Sequence, residues 1–577
     1  MKSSMWKLFA VLVVLVMALS SLAACGPTTA PEEPAEPAEA TEAPVAEATA
    51  APEEPEPTEP PPAERKVATF IWTQEPDNLN PMYTSMWFST ITQQIWNCDP
   101  WIWDENNEPQ SVLLAEMPSL DNGGISEDGT TITLNLRDDI VWSDGEPITS
   151  ADFVFTWEMY TNPANTVAST YPYDLLAAME APDERTVVMS FDEPFVPWMA
   201  AFGTEIIPEH VLRPVFDAEG SLDTAEWNEA PMVGCGPYTF AEWESGSFMR
   251  FVRNDNYYDE PANIDEIFLR FVPDDASQIA ALRTGEGDLG TFFSYSDMPT
   301  LEEAGVQIIM APSGYNEGWY FYFGEEAHPA ISDVRVRQAI ALCFDRFSVV
   351  EDLLLGKTEV AASFWHKTPF QDPDLEPWPY DPERGKALLD EAGWVDTNDD
   401  GVRDKDGEEL ILVHGTTTRE VRADTQAVAQ QQLAECGIQL DIVGYASDVF
   451  FLSYGEGGPA PSGELDIFEY SGNTDFPDPN TSRFLCGEVP SDEFPDGNND
   501  QKLCDEDLEA LFQLQATQVD FAERQQTFWE IGNYMTENVY WLGVWYDPDA
   551  FGVSDRLTNV TISGAAPFYS IAAWDLE

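Results

Sequence analysis

The sequence predicts an α/β protein whose elements form separate lobes, not a single barrel. The clearest unit is a strand at Glu409–Val413, a helix at Arg419–Cys436 and an alternating strand at Ile438–Val443. Such a strand–helix–strand unit places its two strands parallel in one sheet. Meanders of alternating strands occur elsewhere, so the sheets are not all parallel. The length of 577 residues, 43% of them hydrophobic, allows several domains or one large two-lobed body.

Other elements follow from periodicity and capping signals. Strands are predicted at Val67–Thr73, residues 132–136, Val233–Trp243, Phe248–Arg253 and Ile267–Val272. One helix is predicted to begin at the capping box Thr149–Asp152. Further helices are predicted over Asp275–Leu282, over Ser332–Leu355, and from Asp381 to Gly393.

The charge of the chain is strongly negative. There are 26 Lys and Arg residues against 105 Asp and Glu, which gives a formal net charge of −79. Such a surface repels nucleic acid and anionic lipid headgroups, so we exclude both as partners. Either adaptation to a saline or acidic exterior or a lineage bias in surface composition explains this charge.

The first 25 residues have the pattern of a secretory signal. Lys2 and Lys7 precede an apolar run, Leu8–Leu19, and small residues lead to Cys25. The end of this pattern, Leu-Ala-Ala-Cys, resembles the bacterial lipobox, in which the cysteine is lipidated. We therefore expect a signal peptide over 1–24 and a lipidated Cys25 that anchors the protein at the outer face of the cell membrane. An uncleaved transmembrane anchor is the alternative, but the run is short for a membrane span.

Residues 27–64 are rich in Pro, Glu and Ala and contain little apolar mass. Such a composition cannot offset the entropy cost of ordering, so we expect residues 25–64 to form a disordered stalk. The following body contains no second apolar run of that length. This layout is that of an extracytoplasmic receptor held near a membrane.

Six cysteines lie beyond the stalk, and their spacing matches no zinc site. Cys486 and Cys504 bracket a loop rich in Gly, Pro, Asn and Asp, and we predict a disulfide between them. Cys343 and Cys436 lie in helical patterns and are predicted to be buried thiols. The pairing of Cys98 and Cys235 stays open.

Four stretches together resemble one protein family. They are Leu134–Trp157 (LNLRDDIVWSDGEPITSADFVFTW), Gly234–Gly290 (beginning GCGPYTF), Ser332–Arg346 (SDVRVRQAIALCFDR) and Tyr380–Trp394 (YDPERGKALLDEAGW). In this order they resemble family 5 of the bacterial solute-binding proteins, the oligopeptide- and dipeptide-binding proteins of ABC importers. The resemblance covers about residues 67–577. Cys235 and Cys343 depart from the family pattern.

This resemblance implies a two-lobed periplasmic-binding-protein-like fold of the class II type, with an extra subdomain in lobe I and a hinged cleft. Lobe I would comprise 65–309 and 545–577, and lobe II would comprise 310–544. Closure of the lobes would capture a small ligand, a peptide, for delivery to the permease subunits of an ABC transporter. The protein would act as a monomer without a cofactor and would not be an enzyme.

The resemblance also places candidate ligand contacts. The segment Tyr470–Cys486 resembles the loop that carries the acid for the peptide ammonium, which points to Asp475. Trp365, Trp87, Tyr83 and Tyr470 would form the aromatic walls of the cleft. The alternatives are that Asp475 is an ordinary turn residue and that the aromatic residues belong to the core.

One loop resembles a calcium site. Asp396, Asn398 and Asp400 stand at the first, third and fifth positions, with Gly401 at the sixth. The twelfth position is Gly407 instead of an acid, so we favour an acidic surface turn and predict no metal.

Other functions stay open at this point. Relatives of this family bind nickel complexes, haem or oligosaccharides, and a sugar would suit an aromatic cleft without needing Asp475. A receptor that feeds a signalling protein is a further alternative. A secreted hydrolase is remote, because the four histidines form no catalytic or metal motif.

Overall fold

The computed structural model describes residues 65–577 except 106–107, 203–204, 475–477, 480, 496 and 565. The predicted signal peptide, Cys25 and the stalk lie outside the described residues, and so does Asp475. In the part of the chain that the structure describes, no helix is both long and apolar enough to cross a bilayer.

The elements are numbered in chain order. The strands are β1 (Val67–Trp72), β2 (Trp101–Trp103), β3 (Pro109–Ser111), β4 (Thr131–Asn135), β5 (Leu176–Asp183), β6 (Thr186–Phe191), β7 (Tyr238–Glu244), β8 (Phe248–Arg253), β9 (Glu266–Phe271), β10 (Leu289–Thr291), β11 (Gln307–Ala311), β12 (Tyr315–Phe321), β13 (Asp404–Lys405), β14 (Glu408–Glu409), β15 (Ile411–Thr417), β16 (Gln439–Tyr445), β17 (Ile467–Asn473), β18 (Trp541–Tyr546), β19 (Asp549–Val553), β20 (Leu557–Thr558) and β21 (Asp575–Leu576). The helices are α1 (Trp87–Trp96), α2 (Ser150–Thr161), α3 (Glu209–Glu219), α4 (Asp275–Thr284), α5 (Met298–Glu302), α6 (Val334–Cys343), α7 (Arg346–Ser348), α8 (Pro382–Ala392), α9 (Glu420–Glu435), α10 (Ser447–Phe450), α11 (Glu506–Gln515) and α12 (Phe521–Asn538).

Lobe I is the part of the molecule built on a seven-stranded sheet of order β11-β19-β10-β1-β9-β8-β7. Strand β1 runs parallel to β9 and β10, so that Phe70 lies opposite Leu269 and Leu289. Strand β19 comes from the end of the chain and pairs antiparallel with β10 and β11. A second, three-stranded sheet of order β4-β6-β5 packs with α2 on the same hydrophobic core and forms the extra subdomain.

Lobe II is built on a five-stranded sheet of order β16-β15-β17-β12-β18. Strand β15 lies parallel to β16 and β17, and α9 connects β15 to β16. This is the predicted strand–helix–strand unit. Its apolar positions, among them Leu412, Leu433 and Leu440, are buried in the core of this lobe.

The chain passes between the two sheets twice, at residues 312–314 and at residues 547–548. The two crossings lie side by side. The backbone N–H of Asp547 donates to the carbonyl of Tyr315 at 3.2 Å, and the Tyr546 hydroxyl donates to the carbonyl of Ser313 at 3.0 Å. The two crossings therefore form one paired connection between the lobes.

The single helix predicted over Ser332–Leu355 is wrong. Helix α6 ends at Cys343, Phe344 is extended, and a short helical segment, α7, then leads into a π-helical turn over Val349–Leu353. The break has a tertiary cause: Phe344 stacks on Trp319 with ring centroids 4.8 Å apart. The guanidinium of Arg346, buried in the core, donates to backbone carbonyls, including that of Gly543 at 2.7 Å.

Three disulfides join the described cysteines: Cys98–Cys235, Cys343–Cys436 and Cys486–Cys504. The last is the pairing that the sequence predicts. The prediction that Cys343 and Cys436 are free buried thiols is wrong. Cys343 ends α6 and Cys436 follows α9, and packing of the two helix ends brings the Cα atoms to 6.4 Å.

The acidic loop that resembles a calcium site is closed by its own hydrogen bonds. The carboxylate of Asp396 accepts from the backbone N–H of Gly401 at 3.0 Å, and the Asn398 amide donates to Asp400 at 2.8 Å. Among the described residues, no group of three or more His, Cys, Asp or Glu side chains lies close enough to hold a metal ion.

Candidate functional site

The candidate site is a cleft between the lobes, and its first chamber has a volume of about 330 Å³. The chamber lies beside the paired crossings and takes its walls from both lobes. Lobe I contributes residues of α1, β2, β19 and the C-terminal loop, and lobe II contributes Tyr315 and Asn473, at the ends of β12 and β17.

Tryptophans form the lobe I wall of this chamber. Trp87 is the first residue of α1 and packs edge-on against Phe292, with ring centroids 4.7 Å apart. Trp101 and Trp103 lie on β2, and Trp101 packs edge-on against Trp198 at 5.3 Å. All three tryptophans line the chamber. The wall therefore offers flat apolar area that accepts varied ligand groups.

The loop that leads into α1 is fixed by buried polar contacts. Asn80, fully buried, accepts from the backbone N–H of Met82 at 3.0 Å and donates to the side chain of Asn228 at 2.8 Å. The carboxylate of Asp77 accepts from the hydroxyl of Ser89 at 2.7 Å. These bonds hold the start of α1, and with it Trp87, in one position.

Three carboxylates face the first chamber: Asp99, Glu205 and Asp549. Burial, with the charge of Glu205 as a second cause, holds the pKa of Asp99 well above its usual range. Burial raises the pKa of Glu205 to about 7. Burial and the charge of Asp547 raise the pKa of Asp549 to about 7. Among the described lining residues there is no Lys, Arg or His, so no side chain of the wall offers these carboxyl groups a counter-charge.

A second chamber of about 360 Å³ continues the cleft. Trp103 lines both chambers, so they are adjacent. The second chamber is mostly apolar, with Met117, Trp198 and Met199 from lobe I facing residues of lobe II. On the lobe II side Arg524 donates to Asp478 at 2.7 Å in an ion pair.

The structure brings only some of the predicted contacts to the cleft. Trp87 lines the first chamber. Tyr83 is half-buried and packs on the lobe I core instead of lining either chamber. Trp365 is 1% exposed and lies in the lobe II core among Phe residues, so the structure gives it no surface in the cleft.

The remaining predicted contacts lie on or near β17. Tyr470 is half-buried, stacks on Tyr320 with centroids 4.4 Å apart, and accepts a hydrogen bond from Arg483 at 2.8 Å. Asp475 is outside the described residues. Asn473 lines the first chamber, and Asp478 lines the second.

Sequence reasoning missed most of the lobe I wall. The missed residues are Asp99, Trp101, Trp103, Glu205 and Asp549. One local signal was present: the run Trp96-Asn-Cys-Asp-Pro-Trp-Ile-Trp103 combines three tryptophans with a cysteine and an acid. Glu205 and Asp549 carry no local signal, because the fold alone brings them to the cleft.

Curated relatives support the family that the motifs suggest. The chain is 28% identical over 377 residues to the oligopeptide-binding protein AppA of Bacillus subtilis, an alignment that covers 63% of this chain and 66% of that protein. The chain thus matches just under two thirds of the length of this relative.

Solved structures share the fold across most of the chain. The structure of B. subtilis AppA in complex with a nonapeptide has a TM-score of 0.63 at 21% identity and covers 89% of this chain and 99% of that one. The ABC transporter substrate-binding protein CtaP of Listeria monocytogenes has a TM-score of 0.72 at 23% identity, with the same coverage. These likenesses confirm the predicted two-lobed α/β fold.

The family assignment comes from a direct match. The model of the bacterial extracellular solute-binding proteins, family 5 (middle region), matches residues 112–487, which is well over half of the chain. This range contains residues from both sides of the second chamber and most of the lobe II sheet. The chain therefore belongs to the bacterial extracellular solute-binding proteins, family 5.

Proposed function

We propose that this protein is the substrate-binding component of an ABC importer, and that it captures a peptide in the cleft between its lobes and delivers it to the permease subunits. The observation that carries the proposal is the cleft itself: two adjacent chambers, walled by both lobes, that combine tryptophans with unpaired carboxylates. A peptide offers what such walls accept, namely an ammonium group and varied apolar side chains. The relatives named for peptide binding add support.

Capture requires the lobes to close on the ligand. A ligand shifts the open–closed balance only if it binds the closed form more tightly, so it must contact both lobes. The paired crossings at 312–314 and 547–548 are the natural hinge, since they are the places where the chain changes sheet. We take lobe I as 65–309 with 545–577, and lobe II as 310–544.

The cellular setting completes the proposal. A signal peptide over 1–24, lipidation of Cys25 and a stalk to residue 64 would hold the lobes at the outer face of the cell membrane, near the permease. We propose a monomer that binds and releases its ligand without converting it and without a cofactor.

We propose that Asp475 receives the ammonium group of a peptide. An oligosaccharide is the second candidate ligand, because Trp87, Trp101 and Trp103 offer stacking area. A neutral sugar, however, would leave the cleft carboxylates without a counter-charge. Substituting Asp475→Ala should abolish peptide binding and spare sugar binding.

The test is ligand capture by the purified protein. Small-angle scattering and thermal unfolding are followed across a panel of peptides and a panel of oligosaccharides. We expect a subset of peptides to compact the protein and raise its Tm, with the peptide recovered intact by mass spectrometry. A flat response to every peptide, or turnover of any of them, would exclude this function.

A further inference from the structure

The first chamber contains two acidic side chains that the protein itself leaves without a partner. Glu205 lines the chamber yet is only 5% exposed, and among the described residues no other residue donates a hydrogen bond to its carboxylate. The Oδ1 atom of Asp99 is enclosed and has no hydrogen-bond partner in the described chain. A buried carboxylate without partners is costly, so native proteins normally pair such groups.

The protein supplies no cation to either group. Neither Asp99 nor Glu205 takes part in an ion pair in the described chain, and no basic side chain lines the chamber. Moreover, the charge of Glu205 disfavours ionisation of Asp99, so the two carboxylates lie within electrostatic range of each other. A cation that entered this wall would offset their mutual repulsion and favour the ionised form of both carboxyl groups.

The fold fixes these two carboxylates in place. The Cys98–Cys235 disulfide anchors the residue before Asp99, and the side chain of Asn97 donates to the carbonyl of Ile206 at 3.2 Å. Gly236 seals this contact, because a Cβ there would come within 2.7 Å of the carbonyl oxygen of Asn97. The segments that carry Asp99 and Glu205 are therefore tied together before any ligand arrives, which lowers the entropy cost of binding.

We propose that Asp99 and Glu205 form a subsite on lobe I for an organic cation of the ligand, a primary ammonium or a guanidinium, so that the cleft selects basic ligands. This inference rests on the proposed function and names its substrate class: peptides with a Lys or Arg side chain. The nearby tryptophans, Trp101 and Trp103, line the same chamber and can stabilise a cation by contact with their rings. A metal ion fits less well, since the described residues offer no group of three ligands.

The test compares matched peptides on matched variants. Peptides of two to nine residues carry Lys at one position, or norleucine, which has a similar apolar chain without the charge. Affinities are measured by calorimetry on the wild type, on Asp99→Asn/Glu205→Gln, and on the control Glu180→Gln/Glu184→Gln. The control removes two exposed charges of lobe I outside the cleft.

We expect the wild type and the control to prefer Lys peptides by tenfold or more, and the cleft variant to lose that preference to within twofold. The ligand-free cleft variant should also melt at a higher temperature than the wild type at pH 8, a readout that needs no ligand. An equal preference in the cleft variant and the wild type would overturn the subsite and leave the proposed function standing.

Two further binding measurements distinguish failure of the peptide function from failure of the organic cation as the occupant. Binding of 1,5-diaminopentane that depends on Asp99 and Glu205, together with no binding of any peptide, would support the subsite and overturn the peptide function. Binding of Ca²⁺ or Mg²⁺ alone that displaces the Lys peptide would overturn the organic cation as the occupant.

Discussion

Two pairs of buried acidic residues differ in whether a basic side chain of the described chain lies beside them. Glu317 and Glu469 lie in the lobe II sheet and are fully buried. Arg422 binds Glu317 with two hydrogen bonds of 2.8 Å, and the indole N–H of Trp319 donates to Glu469 at 2.9 Å. Arg422 thus supplies a counter-charge beside this pair, although the Oε1 atom of Glu469 has no hydrogen-bond partner in the described chain.

Asp99 and Glu205 in the lobe I wall differ from that pair because no basic side chain of the described chain lies beside them. They face a chamber and have no basic partner in the described chain. A hydrogen bond from Asn97 to Ile206 joins their segments, and the Cys98–Cys235 disulfide anchors the segment of Asp99. The comparison teaches that the number of buried acids does not identify a binding site. What distinguishes the cleft pair is that the described chain supplies no counter-charge to it.

The largest effect should come from breaking the satisfied pair. Substituting Arg422→Met removes both guanidinium hydrogen bonds from the buried Glu317 and leaves only the more distant Arg419, at 4.0 Å, as a cation. Breaking a buried ion pair in this way typically costs about 3–5 kcal/mol. Urea unfolding monitored by tryptophan fluorescence measures the loss, and the cleft variant Asp99→Asn/Glu205→Gln serves as the contrast. A loss below about 1 kcal/mol for Arg422→Met would show that the lobe II network does not stabilise the fold.

A second effect concerns the anchor of the cleft pair. Replacing Cys98 and Cys235 by Ser opens a loop with a sequence separation of 137, and we expect a loss of about 2–4 kcal/mol. This variant should also bind Lys peptides with less preference, because Asp99 is no longer held. Opening Cys486–Cys504 should lower the Tm but leave the preference unchanged. If both disulfide variants prefer Lys peptides as strongly as the wild type does, the Cys98–Cys235 disulfide has no role in ligand selection.

A third effect is the pH dependence of the ligand-free protein. The pKa of Glu205 is raised to about 7 in the folded state, so the folded protein binds more protons than the unfolded chain between about pH 4.5 and 7. The contribution of Glu205 to the free energy of unfolding is therefore fully present below pH 4.5 and is lost as the pH rises to 7. Asp549, whose pKa is raised to about 7, adds to the same trend. Affinity for a basic peptide should rise over the same window. Melting curves of the wild type and of Glu205→Gln measure the difference; identical pH profiles would contradict it.

The smallest effect is expected at Glu469. Burial and the charge of Glu317 hold the pKa of Glu469 well above its usual range, which disfavours the ionised form of this side chain. Substituting Glu469→Gln should change stability by less than about 1 kcal/mol and leave ligand preference intact. A loss as large as that of Arg422→Met, measured in the same urea series, would show that Glu469 is ionised.

The sequence predicted the fold well where local signals and family motifs agreed. The unit of β15, α9 and β16 was predicted correctly because the apolar spacing indicates its elements and Gly437 marks the end of the helix. The long helix at Ser332–Leu355 failed because Phe344 turns to stack on Trp319, a contact that periodicity does not reveal. Cys343 and Cys436 were misjudged for the same reason, since their pairing depends on how two helix ends pack.

The site was less predictable than the fold. Trp87 lines the first chamber, whereas Trp365 is buried in the lobe II core, and the residue type alone does not distinguish these two locations. Asp99 and Glu205 lie far apart in the chain. Their neighbourhood, and the absence of a basic partner around them, exists only in the folded lobe.

The most direct test of this account is a crystal structure of the protein with a bound Lys-containing peptide. We predict closed lobes around an extended ligand, with one ligand nitrogen within about 2.7–3.2 Å of carboxylate oxygens of both Asp99 and Glu205. A ligand whose cationic group lies elsewhere, with only water at these two carboxylates, would contradict it.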